Sequence, residues 1–316
     1  MQTPLPPGPA PFDGRRFSNL SGAANRFADV ARWSLTRQPP RWPRYVSNQP
    51  APRPLPRVDD GSVRVTLIGH ATVLLQVAGL NLVTDPMWSL RAGPASWLGV
   101  KRVRFPAIAF DDLPAIDAVL LSHNHYDHLV RPTLAALARR DRPLIVTGLK
   151  VGKSVPSRRV VELDWWQRHS LGERVHATYV PAEHFSARTP FDRNRSLWGG
   201  FVLETPAGTI YFAGDTGDGN HFAAIRQYFG PMLLSLLPIG AYLPRWFMGP
   251  VHMDPAAAVA ASLTLGSKVS LPIHFGTFPL ADDGFDDPLR ELAAALAAHP
   301  DVDFRTPAFG EPIEIQ

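Results

Sequence analysis

The sequence predicts an α/β or α+β fold, a sandwich in which helices lie outside β-sheets. One observation is a hairpin-like start: from Val63, the stretch VRVTLIGHATVLLQVAGLNLVTDP consists of short β-rich runs that break at Gly69-His70 and Ala78-Gly79. Another is that apolar, strand-like runs then alternate with helix-like stretches. Hairpins followed by β-α alternation are typical of sheets covered by helices.

The elements after the hairpin can be placed in chain order. Short apolar runs bounded by turn residues predict strands at 118–122, 144–146, 175–180, 201–204, 209–213, 233–237 and 269–273. Helical spacing of apolar residues predicts helices at 132–140, 221–228, 255–265 and 288–298. The last two helices open with an Asp-Pro pair, Asp254-Pro255 and Asp287-Pro288, which is typical of a capped helix start.

Composition limits the class of protein and the kind of site. With 316 residues, 45% of them hydrophobic, the chain can bury a sizeable core in one large domain or two modest ones. No apolar window reaches the roughly 18 residues of a membrane span, and the N-terminus lacks a signal-peptide pattern, so a cytoplasmic location is expected. Cysteine is absent, which excludes disulfides, thiolate ligands and a cysteine nucleophile. Any metal must be held by histidine and carboxylate.

Residues 1–57 form a basic, proline-rich arm ahead of the main domain, residues 58–316. The arm holds nine arginines against two aspartates, a charge of +7, whereas the whole chain carries +4, so the main domain is slightly acidic. One interpretation is attraction to an anionic surface, lipid or nucleic acid. The other is an extended segment that packs Phe17, Phe27 and Trp33 onto the core and leaves its arginines in solvent.

The stretch LSHNHYDHL, residues 121–129, contains four residues of metal-ligand type in an H-x-H-x-D-H pattern. His123 and His125 leave the end of a predicted strand two positions apart, so their imidazoles can point into one site. Asp127 and His128 follow in the next turn. The alternative is a histidine-rich polar turn. Ser122, Asn124 and Tyr126 lie between these positions and have no assigned chemistry.

Three later residues repeat the arrangement of an apolar strand followed by a ligand. His184 follows the predicted strand in the stretch RVHATYVPAEHF. Asp215 follows the predicted strand in TIYFAGD, and His274 follows the one in KVSLPIHF. Each alone is more typical of a hydrogen-bonded core residue. Their recurrence at three strand ends favours a metal site.

These motifs resemble those of a known superfamily. LSHNHYDHL, PAEHF, FAGDTG and LPIHFG look like the successive ligand motifs of the metallo-β-lactamase fold superfamily, which implies a four-layer αββα sandwich with a two-metal site at one edge of the sheets. Over roughly residues 63–280, LIGHATVLLQ, LVTDP, ELDWW, LWGGF and LPIGAYLPRWFMGPVHMDPAAAV are similar to the N-acyl-phosphatidylethanolamine-hydrolysing phospholipase D family. The arm matches that family far less well.

The resemblance implies a ligand set, in which His123, His125 and His184 hold one metal, Asp127, His128 and His274 hold the other, and Asp215 bridges both. Imidazole and carboxylate ligands suit two Zn²⁺ ions at about 2.0–2.2 Å per bond, and iron or manganese also fits. Two such ions can share a hydroxide and polarise a phosphoryl oxygen. The implied reaction cleaves N-acyl-phosphatidylethanolamine to an N-acylethanolamine and phosphatidic acid.

Residues around the metals are also expected to contribute. Asp85, in LVTDP, is a candidate hydrogen-bond acceptor for a metal-bound imidazole, although an Asp-Pro turn former is an equal interpretation. His70, in GHAT, is a candidate for a polar role beneath the site. His252 precedes the helix that begins at Asp254-Pro255, where backbone N–H groups favour an anion, so we expect it to act with Asp127 in catalysis, on the phosphodiester or its leaving group.

Alternative functions follow from the same sequence. The same site could cleave another substrate, such as a small phosphodiester, a lactone or, as a cyclic amide, a β-lactam. Nucleic-acid processing would require basic residues around the cleft, whereas the excess charge lies in the arm, so no nucleic-acid partner is expected. A metal-binding scaffold without activity would be expected to lack at least one ligand, and all seven are present. The resemblance further suggests a phospholipid substrate and a homodimer, and the basic, aromatic composition of the arm suggests peripheral membrane contact.

Overall fold

The structure, a computed structural model, describes residues 8–22 and 27–316, and the side chain of Phe27 lies outside the described part. Its strands are, in chain order, β1 (Val63–Gly69), β2 (Thr72–Val77), β3 (Leu80–Thr84), β4 (Arg91–Ala95), β5 (Leu98–Lys101), β6 (Ala118–Leu121), β7 (Leu144–Gly148), β8 (Val160–Leu163), β9 (Arg168–Ser170), β10 (His176–Val180), β11 (Gly200–Thr205), β12 (Gly208–Phe212), β13 (Leu234–Pro238), β14 (Val269–Ile273) and β15 (Pro312–Ile315). Its helices are α1 (Phe27–Thr36), α2 (Arg131–Arg140), α3 (His221–Phe229), α4 (Arg245–Met248), α5 (Pro255–Leu265) and α6 (Asp287–Ala297).

Two sheets form the centre of the protein. One has the strand order β15-β1-β2-β3-β6-β7-β8, and the other has the order β14-β13-β12-β11-β10-β9. In each sheet an antiparallel meander continues into parallel strands, from β3 to β8 in the first and from β12 to β14 in the second. Strands β4 and β5 form a separate hairpin. The architecture is the expected four-layer αββα sandwich.

Strand β6 shows why the layers form. Its four residues are all buried, and they alternate between two hydrophobic clusters. Leu120 belongs to the core between the sheets, whereas Val119 and Leu121 belong to the outer core with Leu134 and Leu137 of α2. Because successive side chains of a strand point to opposite faces, a continuous apolar run is what a strand covered on both faces requires.

The predicted elements exist, with ends within two residues for most of them. The prediction missed the helices α1 and α4 and the strands β4, β5, β8, β9 and β15. The missed strands have three to five residues, and two of them, RAGPA and RHS, lack an apolar pattern. Asp254 caps α5, because its Oδ1 accepts a hydrogen bond from the Ala257 N–H at 2.7 Å. The expected cap at Asp287 is wrong: this residue lies inside α6, and its Oδ2 accepts from the Gly284 N–H at 2.7 Å.

The described residues of the arm, 8–22 and 27–57, lie against the main domain. Phe17 is buried in the main core, and Trp33, in a helix instead of the expected extended chain, stacks on Phe247 with ring centroids 5.0 Å apart. Three arginines of this segment pair with aspartates of the main domain, in the pairs Arg37–Asp282, Arg53–Asp112 and Arg57–Asp117. These contacts favour the packing interpretation of the segment. Every helix in the described part of the chain is too short or too polar to span a bilayer.

Candidate metal centre

Seven ligand-type residues meet at one edge of the two sheets. Strand β6 ends at Leu121, just before the H-x-H-x-D-H loop, and the loops after β10, β12 and β14 carry the other three residues. Because parallel strands of one sheet end at the same edge, each loop delivers its side chain to the same place. The long spacing in sequence becomes a short distance in space.

The first group consists of His123, His125, His184 and Asp215, whose ligand atoms all lie within 4.8 Å of one another. Nδ1 of His125 lies 2.8 Å from Nε2 of His123 and 3.2 Å from Nε2 of His184. Oδ2 of Asp215 lies 3.7 Å from Nε2 of His184. Four ligands at about 2.1 Å in a tetrahedron are roughly 3.4 Å apart, so the group has the dimensions of a zinc shell.

The second group consists of Asp127, His128 and His274, with His70 beside them. Oδ2 of Asp127 lies 3.4 Å from Nε2 of both His128 and His274, and 3.0 Å from Nε2 of His70. Oδ2 of Asp215 lies 3.1 Å from Nε2 of His128 and 3.2 Å from Nε2 of His274. Asp215 therefore lies between the two groups and within reach of both.

The hydrogen bonds of three histidines leave Nε2 of each ring directed into the site. Nδ1 of His184 donates to the Val251 carbonyl at 2.9 Å, and Nδ1 of His128 donates to Oδ2 of Asp85 at 2.6 Å. Nδ1 of His123 donates to Oγ of Ser122 at 2.9 Å. In each residue the proton on Nδ1 has an acceptor, so Nε2 is the nitrogen available for a metal.

Burial keeps the three histidines of the first group neutral. It lowers the pKa of His123 and His184 well below the ordinary histidine value, and that of His125 to about 4. Neutral imidazole is the form that binds metal. These three side chains therefore need no deprotonation at neutral pH.

The second group is charged in the metal-free protein. Although burial opposes it, His128 and His274 hold the pKa of the Asp215 carboxyl well below its usual value. In turn, and again against burial, Asp215 raises the pKa of His274 to about 9, and that of His128 well above its usual value. Binding of cations would replace the imidazole protons and release them to solvent.

A chain of hydrogen bonds supports the histidines from behind. Oγ of Ser122 donates to Oδ2 of Asp85 at 2.5 Å, and the Ser122 N–H donates to Oδ1 at 2.7 Å. Asp85 thus bonds to His128 directly and to His123 through Ser122. Asp85, His70 and His274 all have positive φ (32°, 56° and 61°), a strained conformation for residues other than glycine.

The donor set fits a metal. Nε2 of His128 and Oδ1 of Asp215 are buried and make no hydrogen bond to any described residue. Buried polar atoms without a hydrogen bond are costly in a protein interior, and Nε2 of His128, 3.1 Å from Oδ2 of Asp215 within the His/Asp cluster, suits a cation between the two. The set of five to six imidazoles and two carboxylates without thiolate accommodates zinc, iron or manganese.

Comparison with known proteins identifies the family. Residues 80–275 match the beta-lactamase superfamily domain. The chain belongs to this superfamily. N-acyl-phosphatidylethanolamine-hydrolyzing phospholipase D 1 of Caenorhabditis elegans is 35% identical over 264 residues, which is 78% of this chain and 74% of the relative, so the chain also belongs to that enzyme's family. An uncharacterized protein of Mycobacterium tuberculosis is 40% identical over 266 residues, 80% of this chain and 70% of that protein.

The solved structures show the same fold. Igni18, a metallo hydrolase from the archaeon Ignicoccus hospitalis, has a TM-score of 0.61 at 20% identity and covers 81% of this chain and 99% of its own. The superfamily and the αββα fold that the motifs implied are confirmed. The protein is a metal-dependent hydrolase of the beta-lactamase superfamily.

In this superfamily member, His252 lies beside both ligand groups. Its ring centroid is 5.1 Å from that of His184 and 5.3 Å from that of His274. Burial lowers its pKa to about 4, so it is neutral at neutral pH, and its buried Nδ1 has no hydrogen-bond partner among the described residues. The helix start behind it is less open to an anion than the sequence suggested, because Asp254 already accepts from the Ala257 N–H.

Residues without a sequence signal hold the His184 loop. Oδ1 of Asn19 accepts hydrogen bonds from the His184 N–H and from Nε1 of Trp198, both at 3.0 Å. The Ser21 N–H and hydroxyl donate to the Glu183 carboxylate. The N-terminal segment is therefore part of the wall of the metal centre. Single polar residues in a proline-rich arm carry no pattern that could have predicted this.

Proposed function

We propose that this protein is a phosphodiesterase of phospholipase D type, which cleaves N-acyl-phosphatidylethanolamine to an N-acylethanolamine and phosphatidic acid. The observation that carries the proposal is the position of Asp215, whose Oδ2 lies 3.1 Å from Nε2 of His128 in one group and 3.7 Å from Nε2 of His184 in the other, which supports a site for two metals. Support for the lipid comes from the C. elegans relative, whose name specifies this substrate.

The proposed ligands follow the two groups. His123, His125 and His184 would hold one Zn²⁺, Asp127, His128 and His274 would hold the other, and Asp215 would contact both. When bound, the two ions would supply an activated water and polarise a phosphoryl oxygen. Water would add to phosphorus, the bond to the ethanolamine oxygen would break, and the proton of water would pass to that oxygen.

The chain's own residues would orient these groups. Asp85 and Ser122 fix the imidazoles of His128 and His123 through the hydrogen bonds described above, and His70 holds Oδ2 of Asp127 at 3.0 Å. We propose that neutral His252 contacts a phosphate oxygen or the leaving oxygen and is no permanent metal ligand. Its unpaired Nδ1 supports this role.

The test is a product assay with purified, zinc-loaded protein. Wild type should release an N-acylethanolamine and phosphatidic acid from N-acyl-phosphatidylethanolamine, as detected by mass spectrometry. The same preparation is assayed with bis-p-nitrophenyl phosphate and a homoserine lactone, which represent the alternative esters. Asp127→Asn removes a ligand charge and should abolish activity. Turnover by this variant at the wild-type rate, or hydrolysis of the lactone alone, would contradict the proposal.

His252→Ala separates a substrate-contacting residue from a ligand. We expect a large loss of turnover with two metal ions per chain retained, as measured by elemental analysis. If metal content fell in proportion to activity, His252 would be a ligand and the proposed role would be wrong.

We propose in addition that the protein touches the membrane surface peripherally through the arm. Arg41 and Arg44 are exposed, and neither pairs with a described carboxylate. The neighbouring Tyr45 is 62% exposed, which suits a residue at a lipid interface. Sedimentation with anionic vesicles should weaken in the double variant Arg41→Gln, Arg44→Gln, and unchanged sedimentation would exclude this contact.

A further inference from the structure

A cavity of about 260 Å³ adjoins the metal-ligand loop. It lies between the β4–β5 hairpin and the start of α2, and Arg91, Arg131 and Arg188 line it together with Tyr126. Tyr126 stands between the ligands His125 and Asp127 in the chain. The cavity is therefore a neighbour of the metal centre.

The charges around this cavity are unbalanced. None of the described residues that line it is acidic. None of its three arginines has a described carboxylate oxygen within 4.0 Å, although ten other arginines of the chain do. Three guanidinium groups around one concave space repel one another unless an anion lies between them.

Arg188 is held rigidly in the wall of the cavity. Its Nη1 donates to the carbonyls of Asn124 and Leu129, at 2.7 and 2.9 Å, and its guanidinium lies 4.0 Å from the centre of the Tyr126 ring. The Tyr126 hydroxyl in turn donates to the Arg188 carbonyl at 2.9 Å. These bonds use one of the two terminal nitrogens, and a fixed guanidinium binds an anion with little loss of side-chain entropy.

A second arginine-lined cavity lies too far from the metal centre to share a ligand with it. Arg139, Arg142, Arg158 and Arg159 line a space of about 530 Å³ at the other end of α2, roughly 13 Å along the helix. That end lies beside the start of β7, and β7 runs parallel to β6. The metal centre lies at the end of β6, so the larger cavity is at the opposite edge of this sheet. Only the smaller cavity can serve a ligand that also reaches the metals.

We propose that the cavity of Arg91, Arg131 and Arg188 binds a phosphate-type anion beside the metal centre. Guanidinium groups bind phosphate oxygens through paired hydrogen bonds, and phosphate carries the charge that three arginines require. The anion is a free phosphate or the phosphate headgroup of an anionic phospholipid. The lipid source rests on the proposed function, since a phosphatidic acid product would leave the metals next to this cavity. The binding of phosphate itself does not depend on that activity.

The test measures binding without turnover. Inorganic phosphate is titrated calorimetrically into the zinc-loaded, full-length protein. Arg131 is exposed and outside the metal shell, so Arg131→Gln and the double variant with Arg91→Gln should fold normally. We expect about tenfold weaker phosphate binding in Arg131→Gln, and a larger loss in the double variant. The matched control is Arg158→Gln, which removes the same charge from the remote cavity and should bind as wild type.

A second experiment identifies the source of the anion. Sedimentation with phosphatidylcholine vesicles is compared with and without phosphatidic acid. If the headgroup is the ligand, the increase caused by phosphatidic acid is clearly smaller in Arg131→Gln than in wild type, because only the contribution of the arm remains, and it is kept in full in Arg158→Gln. If only free phosphate is the ligand, the calorimetric loss remains and sedimentation is the same in both variants. Equal phosphate affinity in wild type, Arg131→Gln and the double variant would overturn the proposal, even if the lipid were hydrolysed as proposed.

Discussion

Asn19→Ala tests whether the N-terminal segment supports the metal centre. Oδ1 of Asn19 is the acceptor for two buried donors, the His184 N–H and Nε1 of Trp198. Trp198 would retain the Ala182 carbonyl, which lies 3.0 Å from the same Nε1. The His184 N–H has no such second acceptor among the described residues. The substitution therefore leaves one buried backbone donor unpaired.

The expected loss of stability follows from this one unpaired donor. One unpaired buried N–H costs about 2 kcal/mol, so the free energy of unfolding of the metal-free protein should fall by about this amount. Urea denaturation monitored by circular dichroism measures it. The control Asn48→Ala removes a half-buried asparagine whose Nδ2 donates to the Phe105 carbonyl and whose Oδ1 accepts from Nη1 of Arg104 at 3.4 Å. Both bonds lie near the surface, so the stability should change by about 1 kcal/mol or less.

The effect should extend to metal affinity. His184 is a proposed ligand, and loosening its backbone should weaken zinc binding about tenfold, as measured by competition with a chromophoric chelator. Asn48→Ala should bind zinc as wild type. If both asparagine variants had the same stability and the same zinc affinity, the segment would not support the site and the reasoning would be refuted.

Three further perturbations test the site and its surroundings. Asp85→Asn replaces the carboxylate that accepts from His128, so zinc affinity should fall about 10- to 100-fold in equilibrium dialysis, and unchanged affinity would contradict the role. Gly214→Ala places a Cβ 2.7 Å from Cβ of Ser122 at a φ of +61°, so the melting temperature should drop clearly, and a wild-type value would show that the two strand ends can separate freely. Burial lowers the pKa of His221 to about 3, so the unfolded chain binds more protons below about pH 6.5 and stability falls as the pH drops from there towards 3. Between pH 7 and 5 His221 should account for about 2 kcal/mol of that loss, and a His221→Gln variant with the wild-type pH slope would refute this.

The clustering of the candidate ligand residues could be predicted because its signal is local. His123, His125, Asp127 and His128 lie within six residues, directly after the apolar strand β6. The period of two in a strand and the common edge of parallel strands are geometric consequences of the backbone. They do not depend on the rest of the fold. The same rules hold for His274, which follows β14 immediately.

Short polar elements could not be predicted because their own residues carry no local signal. The strand RHS of β9 and the strand RAGPA of β4 lack an apolar pattern, and they form because neighbouring strands offer backbone partners. Helix α1 lies in a segment that proline and arginine content marked as extended. Its side chain Trp33 finds a partner only in Phe247, more than two hundred residues later.

By itself, then, the sequence determined the superfamily, the layered α/β architecture and the edge at which the ligand residues gather, because strand periodicity and contiguous motifs are properties of short stretches of chain. Tertiary structure alone decided what surrounds them. The bond from Asn19 to His184 spans 165 positions, and the contacts of Arg188 with the Asn124 and Leu129 carbonyls span about sixty. A hydrogen bond between distant residues depends on the path of the folded chain. A single polar residue forms no periodic pattern, so the sequence around it does not predict that path.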